Sequence, residues 1–288
     1  MKLDKSKRIL IVGLGLLGGS YAKALKRQGF CVDAITLEQA SVDYALQNGI
    51  IDRGTTTVDA EMIAAADLVV FALYPHVFLD WVREYGHLLR EGTVITDVTG
   101  VKGELVYEIQ SLLGPGVEFI AAHPMAGREV GGVENSDDGI FKGANYIVVP
   151  TDANTPEAIS LCEQLGWTLG FADVSVLSPA RHDEMIGFLS QLTHCIAVSL
   201  MCACDDPDMV RYTGDSFRDL TRIANINDEM WSELFLANRE TLLQQMDAYR
   251  DTFDHLFHYL KTNDRDGIRA MMRLSTTRRR RFEIEKRG

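Results

Sequence analysis

The first half of the chain alternates short apolar runs with segments whose apolar residues recur every three or four positions. Six runs have the length and composition typical of buried strands: 8–12, 31–36, 66–73, 93–97, 117–121 and 145–149. Helical spacing occurs between several of them, at 17–28, 41–48 and 77–89. Strands that alternate with helices predict a mostly parallel, doubly wound sheet whose two faces are covered by helices.

The pattern changes after residue 178, and no further strand is predicted. Apolar positions three and four apart run from His182 to Leu200, which indicates a long helix. A second series, from Leu242 to Leu260, alternates spacings of four and three, as in a heptad seam. We therefore expect two domains, a sheet domain at 1–178 and an all-helical domain at 179–288.

Composition narrows the classes of function. The formal net charge of −12 argues against binding to a nucleic-acid backbone, which needs a basic surface. The five cysteines have no spacing typical of a metal or redox site, so no metal is expected. The N-terminal residues contain no leader-like segment, and no apolar stretch approaches the ~20 residues that span a bilayer. We expect a cytoplasmic protein without a membrane partner.

A glycine pattern follows the first predicted strand, where a helix begins. Gly13, Gly15 and Gly18 form Gly-x-Gly-x-x-Gly, with Leu16 and Leu17 inside the loop. Gly13 permits a tight turn, Gly15 lets a pyrophosphate approach the backbone, and Gly18 allows close packing of helix on strand. The helix N-terminus offers free N–H groups to a phosphate. These five residues predict a dinucleotide site in a Rossmann-type domain.

The end of the second predicted strand should distinguish NAD from NADP. An acidic residue is expected there in an NAD site, where it binds the ribose hydroxyls. The strand ends near Thr36, which is not acidic, and Glu38 follows two residues later. Because no cation stands here to bind a 2′-phosphate and Glu38 would repel one, we expect NAD, with NADP the alternative.

Two further segments go beyond a generic dinucleotide fold. Segment 121–129 reads Ala-Ala-His-Pro-Met-Ala-Gly-Arg-Glu, directly after a predicted strand. Segment 217–224 reads Phe-Arg-Asp-Leu-Thr-Arg-Ile-Ala, and Met230-Trp231 follows. Together with the glycine loop and segment 49–52, these segments resemble the prephenate dehydrogenase family, which includes the arogenate dehydrogenases. The resemblance extends over nearly the whole chain. The resemblance implies NAD-dependent oxidative decarboxylation of prephenate to 4-hydroxyphenylpyruvate in tyrosine biosynthesis.

His123 is the candidate catalytic base. It stands at the carboxyl end of a predicted strand, where doubly wound sheets bind their ligands. An imidazole there can take a hydroxyl proton while a hydride leaves the same carbon, because its ordinary pKa lies near neutral pH. In the family a serine supports this histidine. Here that position is Gly100, and we expect the neighbouring Thr99 to supply the hydroxyl.

The resemblance also implies the residues that bind the substrate. Arg222 would hold a substrate carboxylate in a bidentate clamp, which suits a planar guanidinium. The family places a substrate-contacting histidine at His194, although its apolar neighbours fit a core histidine equally well. Glu129 and Trp231 end the two motif regions and complete the candidate substrate site. The apolar helical faces and the resemblance both predict a homodimer formed through the helical domain.

Three alternative functions stay open. An arogenate dehydrogenase would give tyrosine directly, from a substrate with an amino group in place of the keto group. A β-hydroxyacid dehydrogenase shares the two-domain plan but would carry a catalytic lysine in the first helix of its second domain, and 182–204 contains no lysine. A protein that senses NAD without turnover would not need His123 and Arg222 as a pair.

Overall fold

The computed structural model describes residues 2–284, and its first part is a six-stranded parallel sheet. The strand order is β3-β2-β1-β4-β5-β6, the arrangement of a Rossmann fold. The strands are β1 (Arg8–Val12), β2 (Cys31–Ile35), β3 (Arg53–Thr55), β4 (Leu68–Phe71), β5 (Val94–Asp97) and β6 (Glu118–Phe119). The connecting helices are α1 (Leu16–Arg27), α2 (Gln39–Gln47), α3 (Ala60–Ala65), α4 (Pro75–Tyr85) and α5 (Gly103–Leu112).

Alternate residues of each central strand enter different apolar cores. In β1, Ile9 and Ile11 belong to one core, and Leu10 and Val12 belong to the other. Burial of both faces explains why the strands are continuous apolar runs rather than alternating patterns. The predicted doubly wound, mostly parallel fold is confirmed.

A second, smaller sheet was not foreseen. It contains β7 (Ala121–Pro124), β8 (Asn145–Val149) and β9 (Asp173–Val176), with α6 (Pro156–Leu169) before the last strand. The β7–β8 pair is antiparallel and the β8–β9 pair is parallel. The run predicted as one strand at 117–121 divides at Ile120, whose N–H still bonds to the carbonyl of Ile95 in β5. Beyond that point the chain pairs with β8 instead.

The described residues after Val176 form no strand, as the helical periodicity predicts. A continuous helix contains α7 (Pro179–Ile186), a π-helical segment (Gly187–Gln191) and α8 (Leu192–Cys202); α9 (Asp215–Thr221) and α10 (Asp228–Ala237) follow. The buried amide of Asn238 donates to the carbonyl oxygen of Asp183 at 3.0 Å and to Gln191 Oε1 at 2.7 Å. These bonds join the end of α10 to the continuous helix.

One expectation about apolar segments is wrong. The continuous helix, Pro179–Cys202, has 24 residues and is long and apolar enough to cross a bilayer by length and composition. The sequence pattern did not reveal the segment because His182, Asp183 and Glu184 interrupt its start, and polar residues recur among the apolar ones in its later turns. A single helix of this kind is weak support for a membrane span, since helices packed inside proteins pass the same test.

Chain contacts divide the protein into two compact units, one ending at Asn238 and the other beginning at Arg239. The predicted division after residue 178 lies inside the first unit, where the last strand is followed by the continuous helix, and it stays a prediction. The second unit contains α11 (Arg239–Lys261), α12 (Arg265–Arg279) and α13 (Arg281–Ile284). Leu242 is the buried residue of α11, and α12 has none. The heptad seam is therefore largely uncovered in a single chain: Phe253 is 55% exposed and Leu260 59%.

Candidate active site

His123 lies beside the carboxyl end of β5, but in the second sheet. It is the third residue of β7, opposite Ile147 of β8. Ala122, which precedes it, donates its N–H to Asp97 Oδ1 at 2.9 Å, and Asp97 is the last residue of β5. A side-chain hydrogen bond thus connects the histidine strand to the parallel sheet.

Two further side chains extend from the His123 imidazole into the protein. His123 Nδ1 lies 2.9 Å from Nε2 of His182, and His182 Nδ1 lies 2.7 Å from Asp183 Oδ1. The Asp183 carboxylate also accepts the backbone N–H groups of Lys102, at 3.0 Å, and Gly103, at 2.6 Å. Gly103 is the first residue of α5, so the carboxylate sits at a helix N-terminus, where negative charge is favoured.

This arrangement fixes the protonation of both imidazoles. A carboxylate only accepts hydrogen bonds, so His182 must carry its proton on Nδ1 and present a lone pair at Nε2. His123 must then donate from Nδ1, which leaves a lone pair on its Nε2. The chain of bonds from Asp183 therefore prepares Nε2 of His123 to accept a proton.

The electrostatic surroundings keep both histidines neutral. Burial lowers the pKa of His123 well below its ordinary value of 6.5, and the nearby His182 and Lys102 lower it further. Burial also lowers the pKa of His182, and the hydrogen bond to Asp183 opposes that shift. At neutral pH both rings are uncharged, which is the state that a base needs.

Thr99 bonds to a buried ion pair rather than to His123. Its hydroxyl contacts the carboxylate of Asp97, lies 3.0 Å from the carbonyl oxygen of Val101, and lies 3.2 Å from Lys102 Nζ. The residue bonded to His123 Nδ1 is His182. A supporting hydroxyl from Thr99 remains a sequence prediction.

The Gly100 position leaves room beside the His123 ring. A Cβ atom there would lie 4.0 Å from His123 Cε1 and 3.5 Å from Leu234 Cδ1, both ordinary contacts. An alanine-sized side chain would therefore fit at this position without displacing either neighbour. Leu234 and Trp231 are three residues apart on α10, so they share a helix face. That face connects the surroundings of His123 to the candidate substrate residues.

The candidate substrate residues lie together. His194 stacks on Trp231, with ring centroids 3.7 Å apart and planes at 28°. His194 Nδ1 lies 2.8 Å from the carbonyl oxygen of Ser190 and must donate to it, so its Nε2 is an acceptor while the ring is neutral. Arg222 forms an ion pair with Glu129. Burial lowers the pKa of His194; the Ser190 carbonyl and Glu129 oppose the shift, and Arg222 adds to it.

The glycine loop has the shape that a pyrophosphate needs. Gly13 has φ +97°, and a Cβ there would lie 2.5 Å from the carbonyl oxygen of Ala72. A Cβ on Gly18 would lie 1.9 Å from the carbonyl oxygen of Gly13, whereas one on Gly15 would meet nothing within 4 Å. Leu16 begins α1, Leu17 follows it, and no side chain caps the helix or adds an acid to its first turn. The loop fits a dinucleotide.

The residues proposed to read the ribose lie at the end of β2. Thr36 Oγ1 accepts the N–H of Leu14 at 3.4 Å, so Thr36 is tied to the glycine loop. Glu38 is exposed, precedes α2 and accepts a bond from the Ser41 hydroxyl at 3.2 Å. Glu38 thus keeps its carboxylate near the surface beyond the strand end.

Sequence reasoning missed three residues of the site: His182, Asp183 and Lys102. The adjacent His-Asp pair at the start of an apolar helix was a usable signal, because charged residues rarely enter such a helix without a partner. His182 appeared only as one member of the helical periodicity. Its contact with His123 spans 59 residues of sequence, which no local pattern reveals.

Fold and site together define a nucleotide-binding dehydrogenase. The family model "Prephenate dehydrogenase, nucleotide-binding domain" matches residues 21–170, and "Prephenate dehydrogenase, dimerization domain" matches 178–274. The prephenate dehydrogenase of Lactococcus lactis is 30% identical, over 97% of this chain and 78% of its own. The cyclohexadienyl dehydrogenase of Zymomonas mobilis is 27% identical, over 91% of each chain.

Solved structures show the same similarity to prephenate dehydrogenases. The prephenate dehydrogenase of A. aeolicus, in complex with hydroxyphenyl propionate and NAD+, has a TM-score of 0.87 and 30% identity, over 99% of this chain and 100% of that one. The chain belongs to the prephenate dehydrogenase family. The predicted family, enzyme class and nicotinamide dinucleotide cofactor are thereby confirmed.

Proposed function

We propose that the chain catalyses the NAD-dependent oxidative decarboxylation of prephenate to 4-hydroxyphenylpyruvate. The observation that carries the proposal is the His123 imidazole, whose Nε2 is left as a lone pair by the bonds to His182 and Asp183. Membership of the family supplies the substrate class, and the geometry supplies a base suited to a ring hydroxyl.

The relay assigns the proton a path. His123 Nε2 takes the proton of the ring hydroxyl as that carbon loses its hydride. The imidazolium that forms on His123 keeps its Nδ1 hydrogen bond to His182, and the Asp183 carboxylate stabilises the added charge. The carbon–carbon bond to the ring carboxylate then breaks, carbon dioxide leaves, and the electron pair completes the aromatic ring as a phenolate. The phenolate oxygen takes the proton back from His123 Nε2. When bound, the nicotinamide ring serves as the hydride acceptor.

Substrate binding is assigned to the group of residues around Trp231. Arg222 already holds a carboxylate, that of Glu129, which supports its assignment as the clamp for a substrate carboxylate. His194 offers Nε2 as a hydrogen-bond acceptor and, stacked on Trp231, forms a flat aromatic surface. A substrate carboxylate would compete with Glu129 for the guanidinium.

The dinucleotide is assigned to the glycine loop and the end of β2. Gly13, Gly15 and Gly18 leave room for the pyrophosphate at the start of α1. Thr36 and Glu38 would face the adenosine ribose, and the exposed carboxylate of Glu38 favours NAD over NADP.

Turnover assays decide between the candidate substrates. NADH formation measured with prephenate and with arogenate should give the larger kcat/KM for prephenate. A larger value for arogenate would assign the arogenate reaction to the chain. An arogenate dehydrogenase from Synechocystis has the same fold, with a TM-score of 0.81, so the fold does not distinguish the two substrates. If neither substrate yields NADH while NAD binds, the chain is a dinucleotide sensor.

We also infer a homodimer of cytoplasmic chains. The chain contains a dimerization domain of its family, and α11 and α12 have almost no buried side chain within one chain. Exposed apolar helices of this extent are typical of an obligate two-fold interface. Light scattering at low micromolar concentration should give twice the mass of one chain; a folded, active monomer would contradict the inference.

A further inference from the structure

Lys102 has a fully buried ammonium group. Its side chain is 0% exposed, as is that of Asp97, its ion-pair partner. Nζ lies 2.7 Å from Asp97 Oδ2, 2.7 Å from the carbonyl oxygen of Ala122 and 3.2 Å from Thr99 Oγ1. All three protons of the ammonium therefore have an acceptor. A buried ion pair is seldom needed for stability, because an apolar pair of similar size serves at least as well.

Lys102 contacts two groups that determine the position of His123: the backbone of Ala122 and the carboxylate of Asp183. The side chain of Lys102 donates to the carbonyl oxygen of Ala122, and its ion-pair partner Asp97 accepts the N–H of the same residue. Through its own backbone N–H, Lys102 holds Asp183, which orients His182 and hence His123. One residue thus restrains the backbone just before the imidazole and the far end of the relay.

We propose that Lys102 is a positioning residue of the reaction, which sets the orientation of the His123 imidazole and, through its positive charge, keeps that imidazole unprotonated. The inference rests on the proposed function, because it assigns Lys102 a task only if His123 acts as the base. Lys102 itself has no free proton position from which to touch the substrate.

The charged and titratable groups around His123 support the electrostatic part. His182 on α7 and the Lys102 ammonium before α5 both lower the pKa of His123, in addition to burial. Asp183 contacts His182, and Asp97 at the end of β5 is paired with Lys102. Removing the Lys102 charge should raise the pKa of His123, because the imidazolium would no longer face a neighbouring cation.

The test compares Lys102→Met with the wild type and with Lys5→Met, which removes an exposed lysine. The acid limb of the kcat/KM pH profile should move to higher pH in Lys102→Met by about 1 pH unit. kcat should fall by roughly 10-fold or more with little change in the Kd of NAD, because a displaced base loses its alignment. Lys5→Met should leave the profile and kcat unchanged.

A second variant protects the test against misfolding. Lys102→Met leaves the buried Asp97 carboxylate without its ion-pair partner, which can prevent folding. The double variant Asp97→Asn/Lys102→Met removes both charges and should fold where the single variant does not. Its acid limb should move in the same direction. An unchanged limb in a folded variant rejects the proposal, and failure of both variants to fold makes Lys102 a purely structural residue.

NMR separates this proposal from the proposed function. The ring signals of His123, identified by their loss in His123→Asn, can be titrated without any substrate. A higher His123 midpoint in the lysine variants supports the electrostatic part of the inference even if neither prephenate nor arogenate is turned over, an outcome that would reject the proposed function alone. An unchanged midpoint contradicts it even in an active enzyme.

Discussion

Replacing Asp183 with asparagine changes one atom of the relay and should disable the base. The carboxylate receives three donors: the N–H groups of Lys102 and Gly103 and the Nδ1 proton of His182. An asparagine has one oxygen and one NH₂ group, so its NH₂ must face at least one of these donors. Whichever way the amide turns, a bond is lost.

The two orientations have different consequences. With NH₂ toward Gly103, a buried backbone N–H loses its acceptor, which costs ~1–3 kcal/mol of stability. With NH₂ toward His182, the amide donates to Nδ1, both imidazoles adopt the opposite tautomer, and His123 Nε2 carries a proton instead of a lone pair. A comparable change in serine proteases lowers kcat about 10⁴-fold. We expect a loss of about 10²-fold or more, because part of the population can keep the active tautomer.

Steady-state kinetics and thermal unfolding measure the two effects. kcat should fall while the KM for prephenate and the Kd of NAD change little, because Asp183 acts through His182 and His123. Glu184→Gln is the matched control: Glu184 is the next residue, exposed and paired only with Arg181 in the ion pairs described. A kcat within about threefold of the wild type in a folded Asp183→Asn enzyme would refute the tautomer argument.

Three further outcomes follow from the site. His123→Asn should keep folding and NAD affinity but lower kcat by at least about 10²-fold, and retention of most turnover would remove His123 from the mechanism. Arg222→Ala should raise the KM for prephenate roughly 10-fold or more, whereas Arg218→Ala, one turn earlier, should not; lower stability with an unchanged KM would make Arg222 structural. The kcat/KM with NAD should exceed that with NADP, and equal values would mean that Glu38 does not face the ribose.

The fold was predictable wherever a strand is buried on both faces. The central strands β1 and β4 each contain four consecutive apolar residues and β5 begins with two, and all three were located to within about two residues. The strand β3 was missed because it has three residues, Arg-Gly-Thr, at the sheet edge. The exchange between sheets at Ile120 was missed for another reason. It depends on a contact distant in sequence: the Ala122 N–H bonds to the Asp97 carboxylate, 25 residues away, instead of to a neighbouring strand.

The candidate site also contains one part that the sequence predicts and one part that it does not. The glycine loop and the two motif regions are local in sequence, so their residue types and spacing identify them. The relay is not local: His123, His182 and Lys102 come from a strand, a helix and a loop. Their partnership depends on tertiary packing that a single sequence does not encode in any short pattern.

The π-helical segment Gly187–Gln191 determines which way the second half of its helix faces. His182 and His194 are 12 residues apart, a separation that would turn them about 120° away from each other on a regular α-helix. A π-turn absorbs one additional residue, which reduces the angle to about 20°. Both imidazoles can therefore project from one side of the helix, the first toward His123 and the second toward Trp231. The segment works as an angular adjustment: if the same residues followed a regular α-helix, everything downstream would be rotated by about 100°. Deleting one residue from it would instead restore a regular α-helix and keep the downstream orientation.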